Sequence, residues 1–576
     1  MVAYVCWSTW ARRRGARCLL PSGPIMGRMK ATEQARFELV VRETEAAVGT
    51  DLLAYLFACR PGELEGLSTA SDLRPGQAAV ERVLAHIVEV RLPQELDETN
   101  RRHVMRALLM EADATGAPMA RHLHEQAGGH PPTPLGDDRI EAALAPLAVD
   151  SYPAFLLPAE EQFAIPMPAE VNFQATSLVF RHPQSERFAD AVLQDPRLSQ
   201  VFSERNEQSG PTALVYRNTG QGGGLQLTML PELVFRSAWR KLADAERSPQ
   251  SFTASVLMVW RLVRDVLHGE TRAIGARFSF AGILLPPGTR LELNDGVLRE
   301  ANAADRRIAP ESLKHQLTGT DATGSSTLIN YDGDVVFEAE VPYKVEVLPP
   351  ASEAAPAEWP RHLRMPASLE RSLTRLRSSL LLSAQRDHRV HIVPAWRYFD
   401  DPLSWGYALS WFDPRNATGL MPTTLTEAEV AEWEKWYRLL DSPHVERIEV
   451  ALTRVLRAIG ERREPSDVLI DSVIAWENLF GSREGEPTLR VTASLALLLE
   501  DESRKRQELR AMLAKIYGLR STVVHGSHVL RDTDFPLCYD ALEVAIKALR
   551  TLIERRRDIL ELPDGGARSL RLILDG

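Results

Sequence analysis

The stretch near the C-terminus from Arg520 to Gly526 reads RSTVVHG, and it directs the interpretation of the whole chain. Apolar residues precede it at steps of three and four, the pattern of a helix with one buried stripe: Leu509, Met512, Leu513, Ile516 and Leu519. Gly526 suits the left-handed conformation in which many helices end. We therefore expect His525 in the last turn, where the negative end of the helix dipole favours its imidazolium form.

Arg520 and His525 combine a permanent cation with a side chain that changes charge near neutral pH. This combination suits cleavage of a phosphodiester. His525 can take the proton from a ribose 2′-hydroxyl or give one to the leaving 5′-oxygen, and Arg520 can stabilise the charge that grows on the phosphate. No metal is needed, because the RNA supplies the nucleophile. The alternative is a pair of side chains that only completes the helix.

The spacing of Arg520 and His525 limits how they can act together. At about 100° per residue, the two side chains lie about 140° apart around a straight helix. One helix alone therefore does not make the site. Either the helix ends early and the imidazole ring swings back, or a second copy of the chain faces the first across a twofold axis. The second arrangement predicts a homodimer through the C-terminal helices.

Three further segments precede this string in a fixed order. They read ALTR at 451–454, a helix with Asp467, Asp471 and Glu477, and LRV at 489–491 followed by ALLL at 496–499. With IYGLRSTVVHG at 516–526, they resemble the ApeA-like branch of HEPN domains, all-helical modules that typically dimerise into metal-independent endoribonucleases. The resemblance covers about residues 439–562. Trp476 stands where this branch often has leucine, a departure that affects packing and not chemistry.

The resemblance implies two catalytic residues, Arg520 and His525, with four supporting residues, Tyr517, Ser521, Glu477 and Arg490. Tyr517 and Ser521 can donate hydrogen bonds to a phosphate, or they can equally cap the helix or fill a dimer seam. Glu477 can orient Arg520 or Arg490, and a structural salt bridge is an equal reading because buried charge must be paired. His528 is interpreted as a solvated loop residue.

Composition limits the other possibilities. The chain has 576 residues and a mass of 64.3 kDa, so about two to four domains are expected. A formal net charge of −10 argues against a general nucleic-acid coat protein. The four cysteines form no CxxC pair and indicate neither zinc nor a disulfide framework, so no metal or cofactor is expected. A reducing cytoplasm fits best, and no apolar run is long enough for a membrane helix.

The sequence predicts a multidomain α+β protein, with a helical N-terminal region, a mixed α/β middle region and an all-α HEPN-like bundle at the C-terminus. The predicted divisions are a disordered leader at 1–28, helical residues 29–150, mixed residues 151–347, a proline-rich linker at 348–360, a helical and aromatic-rich connection at 361–435 and the bundle at 436–576. After the linker, mainly helix is expected.

Local patterns in the middle of the chain predict individual elements. Strands are expected at 178–180, 212–216, 225–230 and 276–285, with a hairpin-like pair at 326–330 and 334–341. Helices are expected at 184–195, 252–268 and 367–385. Residues 220–224, rich in glycine, predict a flexible turn, and Thr424 with Glu427 has the spacing of a capping box.

Seven aromatic residues follow the predicted helix at 367–385: Trp396, Tyr398, Phe399, Trp405, Tyr407, Trp411 and Phe412. Such a cluster can stack bases of single-stranded RNA, but more often it packs one domain against its neighbour. Packing is therefore the favoured interpretation.

A second string, Arg261 and His268 followed by Gly269, matches the same loose Arg–His signature. It lacks the three preceding segments, and a strand-like segment follows it directly, so a structural role is favoured. His122, His124 and His130 lack acidic or thiol partners at ligand spacing, which makes a metal site there improbable.

Two classes of function remain. The first is an endoribonuclease of a bacterial toxin or anti-phage abortive-infection type, for which both single-stranded RNA and tRNA are open as substrates. Its N-terminal regions would sense a phage or host trigger or restrain the activity. The second is a non-catalytic HEPN module that dimerises or binds a nucleotide in a regulatory protein. The intact RSTVVH string favours the first class. The near-neutral charge of residues 441–576 favours the second modestly.

Overall fold

The computed structural model describes residues 25–575 except for 67–71, 93–94, 133–135, 159–172, 207–209, 244–245, 315, 321–325, 349–366, 387–388, 407, 411–421 and 483–485. Most of the predicted leader, nearly all of the predicted linker and three of the aromatic residues, Tyr407, Trp411 and Phe412, lie outside the described residues. The chain is a multidomain α+β protein in which helix predominates.

The N-terminal region is helical, as predicted. Its helices are α1 (Ile25–Leu56), α2 (Pro75–His86), α3 (Glu98–Leu109), α4 (Met119–Gln126) and α5 (Arg139–Phe155). Helix α1 bends at Gly49, which has a φ of 79° that an L side chain rarely adopts. Leu52, Leu84 and Leu144 from three of these helices are completely buried. They belong to a large apolar cluster formed from residues 40–437.

The middle region mixes helices with short strands. Its helices are α6 (Phe173–Arg181), α7 (Pro183–Gln194), α8 (Leu198–Val201), α9 (Leu230–Lys241), α10 (Pro249–Leu267) and α11 (Ala303–Ile308). The prediction of a strand at 178–180 is wrong, because Leu178 and Val179 are buried on one side of α6. The apolar run there is too short for its period to distinguish helix from strand.

Most strands of the described residues belong to two sheets, one of four strands and one of six. In the smaller one, β2 (Gly210–Arg217) lies between β1 (Glu204–Asn206) and β11 (Val345–Leu348), and β3 (Gln221–Gln226) also pairs with β2. The predicted turn at 220–224 and strand at 225–230 are thus both shifted. Gly222, Gly223 and Gly224 extend as part of β3, and the chain becomes helical from Leu227.

The larger sheet has six strands in the order β13-β12-β4-β10-β7-β6. These strands are β4 (Arg272–Ala281), β6 (Arg290–Leu293), β7 (Gly296–Glu300), β10 (Val335–Tyr343), β12 (Val393–Phe399) and β13 (Leu409–Ser410). Separate pairs are β8 (Gln316–Thr320) with β9 (Ser326–Asn330), and β5 (Ile283–Leu284) with β14 (Thr423–Thr424). The predicted hairpin is wrong: β9 pairs with β8, and β10 pairs with β4 from Val335 to Tyr343.

The first part of the aromatic stretch forms strand β12 (Val393–Phe399), in a region where the sequence predicted mainly helix. Trp396 and Tyr398 in β12 are buried, and Trp396 donates a hydrogen bond from Nε1 to the Asp332 carbonyl at 2.7 Å. The Arg236 guanidinium lies 5.3 Å from the Trp405 ring centroid. The described members of the aromatic cluster therefore serve packing, and the buried ones are closed to stacking on bases.

Helices predominate in the C-terminal part, and from Glu427 onward its described residues contain no strand. It contains α12 (Ala367–Ser383), α13 (Glu427–Leu439), α14 (Glu449–Gly460), α15 (Pro465–Phe480), α16 (Pro487–Leu499), α17 (Ser503–Val524), α18 (Phe535–Glu554), α19 (Arg557–Leu560) and α20 (Gly565–Asp575). The capping box lies two residues later than predicted, since the Thr426 side chain accepts from the Glu429 N–H. Thr424, the predicted cap, is instead the last residue of β14, and the helix begins at Glu427.

Helix α15 forms the centre of a second apolar cluster, built from residues 381–572. Trp476 is completely buried there, and its indole N–H donates to the Ala541 carbonyl of α18 at 3.2 Å. The departure from leucine at this position is thus accommodated by packing. No helix in the described part of the chain is long and apolar enough to cross a membrane.

Candidate active site at the end of helix α17

Helix α17 remains regular through Val524, and His525 occupies its C-cap. Gly526 has a φ of 69°, and its N–H donates to the Val523 carbonyl at 3.0 Å. The Ser527 N–H donates to the Thr522 carbonyl at 3.0 Å, which completes a Schellman ending. The expectation for Gly526 is confirmed. The helix does not end early, so the structure offers no local route for the ring to swing back.

Arg520 faces the interior of the C-terminal helices. Its side chain is 23% exposed, and one terminal nitrogen lies 3.5 Å from Oε2 of Glu477 on α15. Its Nε is buried and has no hydrogen-bond partner within the described residues. A buried donor without a partner costs free energy. The Arg520 guanidinium therefore carries an unsatisfied donor beside its ion pair with Glu477.

Glu477 is fixed from a second side by Tyr517. The Tyr517 hydroxyl donates to Oε1 of Glu477 at 2.6 Å. Burial, together with this hydrogen bond and the Glu477 charge, raises the pKa of Tyr517 to about 12. Glu477 therefore orients Arg520, and Arg490 makes no ion pair with any residue that the structure describes.

His525 is exposed, and its ring has no hydrogen-bond or ion-pair partner among the described residues. Ser521 is half-buried one turn earlier. The Thr522 hydroxyl donates to the Leu519 carbonyl at 2.8 Å, so Thr522 is engaged with its own helix. The imidazole ring is thus accessible to a ligand.

His528 differs from its prediction as a solvated loop residue. It is half-buried, and its Nε2 lies 3.0 Å from Oδ2 of Asp534. That carboxylate also accepts from the Arg531 N–H at 3.0 Å, and it therefore anchors the turn before α18. His528 therefore stabilises the loop after α17 through its contact with Asp534, whereas His525 makes no such contact.

The two motif residues do not meet within one chain. The regular course of α17 keeps them about 140° apart around the helix axis. Arg520 is directed toward α15 through Glu477, whereas His525 is exposed at the helix end. A site that uses both groups therefore needs a second protein surface.

A buried ion cluster joins two of the segments that carry the family resemblance. Asp471 of α15, with a side chain 2% exposed, accepts from Arg454 of α14 at 2.6 Å and from Arg462 at 2.7 Å. Since both partners are cations, the cluster fixes α14 against α15. Its position in the core and its full pairing indicate a structural role.

The Arg261–His268 string ends its helix in the same manner, with Gly269 at a φ of 86°. Its arginine is fully engaged, because Arg261 lies 2.8 Å from Glu141 and 2.5 Å from Asp137. Burial lowers the pKa of His268. The structural interpretation of this string fits these contacts, which bind α10 to the start of α5.

The N-terminal histidines have their own partners. His122 lies 3.0 Å from Asp113, a carboxylate that the spacing argument did not identify, and His124 hydrogen-bonds the Tyr55 carbonyl at 2.6 Å. The His124 ring also stacks on Tyr55 with centroids 4.0 Å apart. Within the described residues, no group of three or more His, Cys, Asp or Glu side chains could hold a metal ion.

No family model, no curated protein and no solved structure matches this chain. The assignment of the site therefore rests on its own side chains. Among the sequence-predicted residues, the structure brings together Arg520, Glu477 and Tyr517, and it leaves His525 and Arg490 apart from them. The Tyr517–Glu477 contact joins residues forty positions apart, and no local pattern signals it.

Proposed function

We propose that this protein is a metal-independent endoribonuclease of the HEPN type, active as a homodimer, in bacterial toxin or anti-phage abortive-infection defence in the cytoplasm. One observation carries the proposal. A guanidinium held by a carboxylate, with one donor unused, and a free imidazole lie on the last turn and a half of one helix. This is the donor set that cleavage through a 2′-hydroxyl requires.

The reaction needs a base and an acid at one phosphodiester. A neutral His525 takes the proton from the 2′-hydroxyl, and the 2′-oxygen forms a bond to phosphorus. The bond from phosphorus to the 5′-oxygen breaks, and the imidazolium that this transfer has formed gives that oxygen its proton. The products are a 2′,3′-cyclic phosphate and a 5′-hydroxyl. The second copy contributes Arg520 to the site, so a dimer with a twofold axis holds two equivalent sites.

Arg520 supplies the positive charge for the phosphate oxygens. Its guanidinium presents several N–H donors in a planar fork that matches two oxygens of a phosphate. The contact with Glu477 engages one terminal nitrogen, and the other terminal nitrogen has no partner among the described residues. Because Tyr517 holds Glu477, the fork is oriented before RNA arrives.

The rest of the chain is joined to these helices through α12. The Arg550 guanidinium of α18 donates to the Leu382 and Ala384 carbonyls at the end of α12, at 2.8 and 2.9 Å. Arg377 of α12 lies 3.1 Å from Glu461, just after α14. These contacts support a role of the N-terminal regions in sensing a phage or host trigger, since a movement of α12 reaches the bundle directly.

The test is cleavage of RNA by the purified chain, with the ends of the products identified. We expect a 2′,3′-cyclic phosphate, and a rate that falls roughly a hundredfold to ten-thousandfold in His525→Ala. His528→Ala is the matched control, because His528 lies three residues away but pairs with Asp534. Expression of the wild type or of His528→Ala should arrest growth, whereas expression of His525→Ala should not. A folded His525→Ala protein as active as the wild type contradicts the proposal.

A further inference from the structure

A cavity lies where α12 meets the start of α14, and it shares no lining residue with the candidate active site. It has a volume of about 210 Å³, and its walls come from α12, from α14 and from the segment between α13 and α14. Its apolar floor consists of three buried residues, Leu440, Val445 and Leu452. The volume is below the roughly 300–1,000 Å³ of pockets for drug-sized ligands, so the cavity suits a molecule of about the size of an amino acid.

Glu449, the first residue of α14, lines this cavity with a carboxylate that the fold leaves unused. The residue is half-buried, and its side chain makes no hydrogen bond or ion pair with the described residues. Partial burial of a carboxylate without a partner costs free energy. Since no side chain in the described part of the chain offsets this cost, Glu449 indicates a cationic group supplied by a ligand.

Arg371 and Glu446 are two further charged residues of the lining, and they are only loosely paired. Nε of Arg371 lies 3.8 Å from Oε1 of Glu446, and the two side chains are 44% and 61% exposed. An exposed pair at this distance makes no hydrogen bond and contributes little to stability. Both groups can therefore turn to a ligand at the mouth of the cavity.

Arg375, the second arginine of the cavity, is by contrast committed to the fold. One of its terminal nitrogens lies 2.8 Å from Asp441, and the other lies 3.3 Å from Asp295. Its guanidinium also lies over the ring of Tyr437, 5.2 Å from the centroid. Arg375 therefore forms a fixed wall, and the charged groups left for a ligand are one guanidinium and two carboxylates.

We propose that this cavity binds a free α-amino acid with an aliphatic side chain. The carboxylate of the ligand pairs with Arg371, and its ammonium group lies between Glu446 and Glu449. Its side chain covers the apolar floor. The bound amino acid joins α12, whose Leu373 belongs to the large apolar cluster, to α14 of the second apolar cluster.

The charges of the lining select this class of ligand. The two free carboxylates repel a nucleotide or any other anion, and a simple amine leaves Arg371 without a partner. A zwitterion satisfies the guanidinium and the carboxylates together. The apolar floor favours an aliphatic side chain over a polar one, because a polar side chain would lose its hydrogen bonds to water there.

Isothermal titration calorimetry of the full-length chain tests this site. Three probes of similar shape are compared: L-leucine, isoamylamine, which lacks the carboxylate, and 4-methylpentanoate, which lacks the ammonium group. L-Leucine should bind more tightly than either analogue, whether or not the chain cleaves RNA. No binding of L-leucine, or binding of either analogue that is as tight, would overturn the inference.

Two variants test the pose of the ligand. Glu449→Gln should weaken the binding of L-leucine about tenfold to a hundredfold, because it removes a charged partner of the ammonium group. Glu427→Gln is the matched control, since Glu427 is also the first residue of its helix but lies outside the cavity. Arg371→Gln, which alters an exposed side chain, should bring the affinities for L-leucine and isoamylamine together.

The melting temperature without L-leucine shows that each variant is folded. Equal affinities of folded Glu449→Gln and Glu427→Gln for L-leucine would place the amino acid outside this cavity and overturn the inference. An undiminished preference of Arg371→Gln for L-leucine over isoamylamine would overturn it as well, because the ligand carboxylate would then have another partner.

Discussion

Glu477 on α15 lies 3.5 Å from Arg520 on α17, and this contact sets the direction of the guanidinium at the candidate site. The second oxygen of the carboxylate accepts from Tyr517 at 2.6 Å. Arg520 is thus positioned from a neighbouring helix and not by the residues next to it. The Arg520 guanidinium is therefore oriented only when α15 and α17 are packed together.

The Glu477–Arg520 contact predicts a graded loss of activity. Arg520→Lys keeps the charge but loses the planar fork, so single-turnover cleavage should fall by about 10²–10³. Glu477→Gln keeps an acceptor for Tyr517 but removes the charge facing Arg520, and a smaller loss is expected. Glu508→Gln on the surface of α17 serves as the control. Equal rates for Glu477→Gln and Glu508→Gln would contradict a positioning role for Glu477.

Tyr517 predicts a change of stability at alkaline pH. Its pKa is raised from 10.0 to about 12 in the folded chain, so between these values the unfolded state has lost a proton that the folded state keeps. Stability therefore falls as pH rises through this window. Denaturation by urea over this pH range should show a steeper decline for the wild type than for Tyr517→Phe. Parallel curves would refute the raised pKa of Tyr517, which its burial and its hydrogen bond to Glu477 produce.

The helix ending at the candidate site was predictable from sequence, because its signals are local. Gly526 is in the left-handed region as predicted, and the buried stripe of α17 includes Leu513 and Ile516. The sequence did not decide whether Glu477 pairs with Arg520 or with Arg490, since Glu477 is distant from Arg520 in sequence. Periodicity gives the face of a helix, but it does not give the helix that packs against it.

The errors in the middle region arise where a local sequence pattern fits more than one structure. Strand pairing is non-local, and a run such as 326–330 looks the same whether it pairs with β8 or with β10. Asp332 and Gly333 resemble a hairpin turn, yet the backbone N–H of Asp334 donates to the Phe280 carbonyl of β4. The short apolar run at 178–180 was similarly ambiguous, and burial on one side of α6 decided in favour of helix.

Cleavage should survive removal of divalent ions. The ribose 2′-hydroxyl is the nucleophile, and the imidazole and guanidinium supply the proton transfer and the charge. The rate measured in EDTA should therefore equal the rate in buffer without it. Loss of activity in EDTA that magnesium or manganese restores would place the protein in another class of nuclease.

The second Arg–His string should matter for stability and not for chemistry. Arg261 lowers the pKa of Glu141, so their interaction stabilises the fold at neutral pH and is lost as pH falls through the lowered value. Arg261→Ala should reduce the melting temperature at neutral pH and less so in acid. The cleavage rate of the folded fraction should be unchanged. A folded Arg261→Ala or His268→Ala protein without activity would show that the site has been assigned to the wrong half of the chain.

The central claim, a site formed by Arg520 of one copy and His525 of the other, is tested most directly by a mixed dimer. Arg520→Ala and His525→Ala chains carrying different tags are co-expressed, and the heterodimer is isolated by two affinity steps. Each homodimer should be inactive, whereas the mixed dimer should regain roughly half of the wild-type rate, because one of its two sites receives an intact arginine from one copy and an intact histidine from the other. A stable mixed dimer as inactive as its parents would contradict a site shared between two copies.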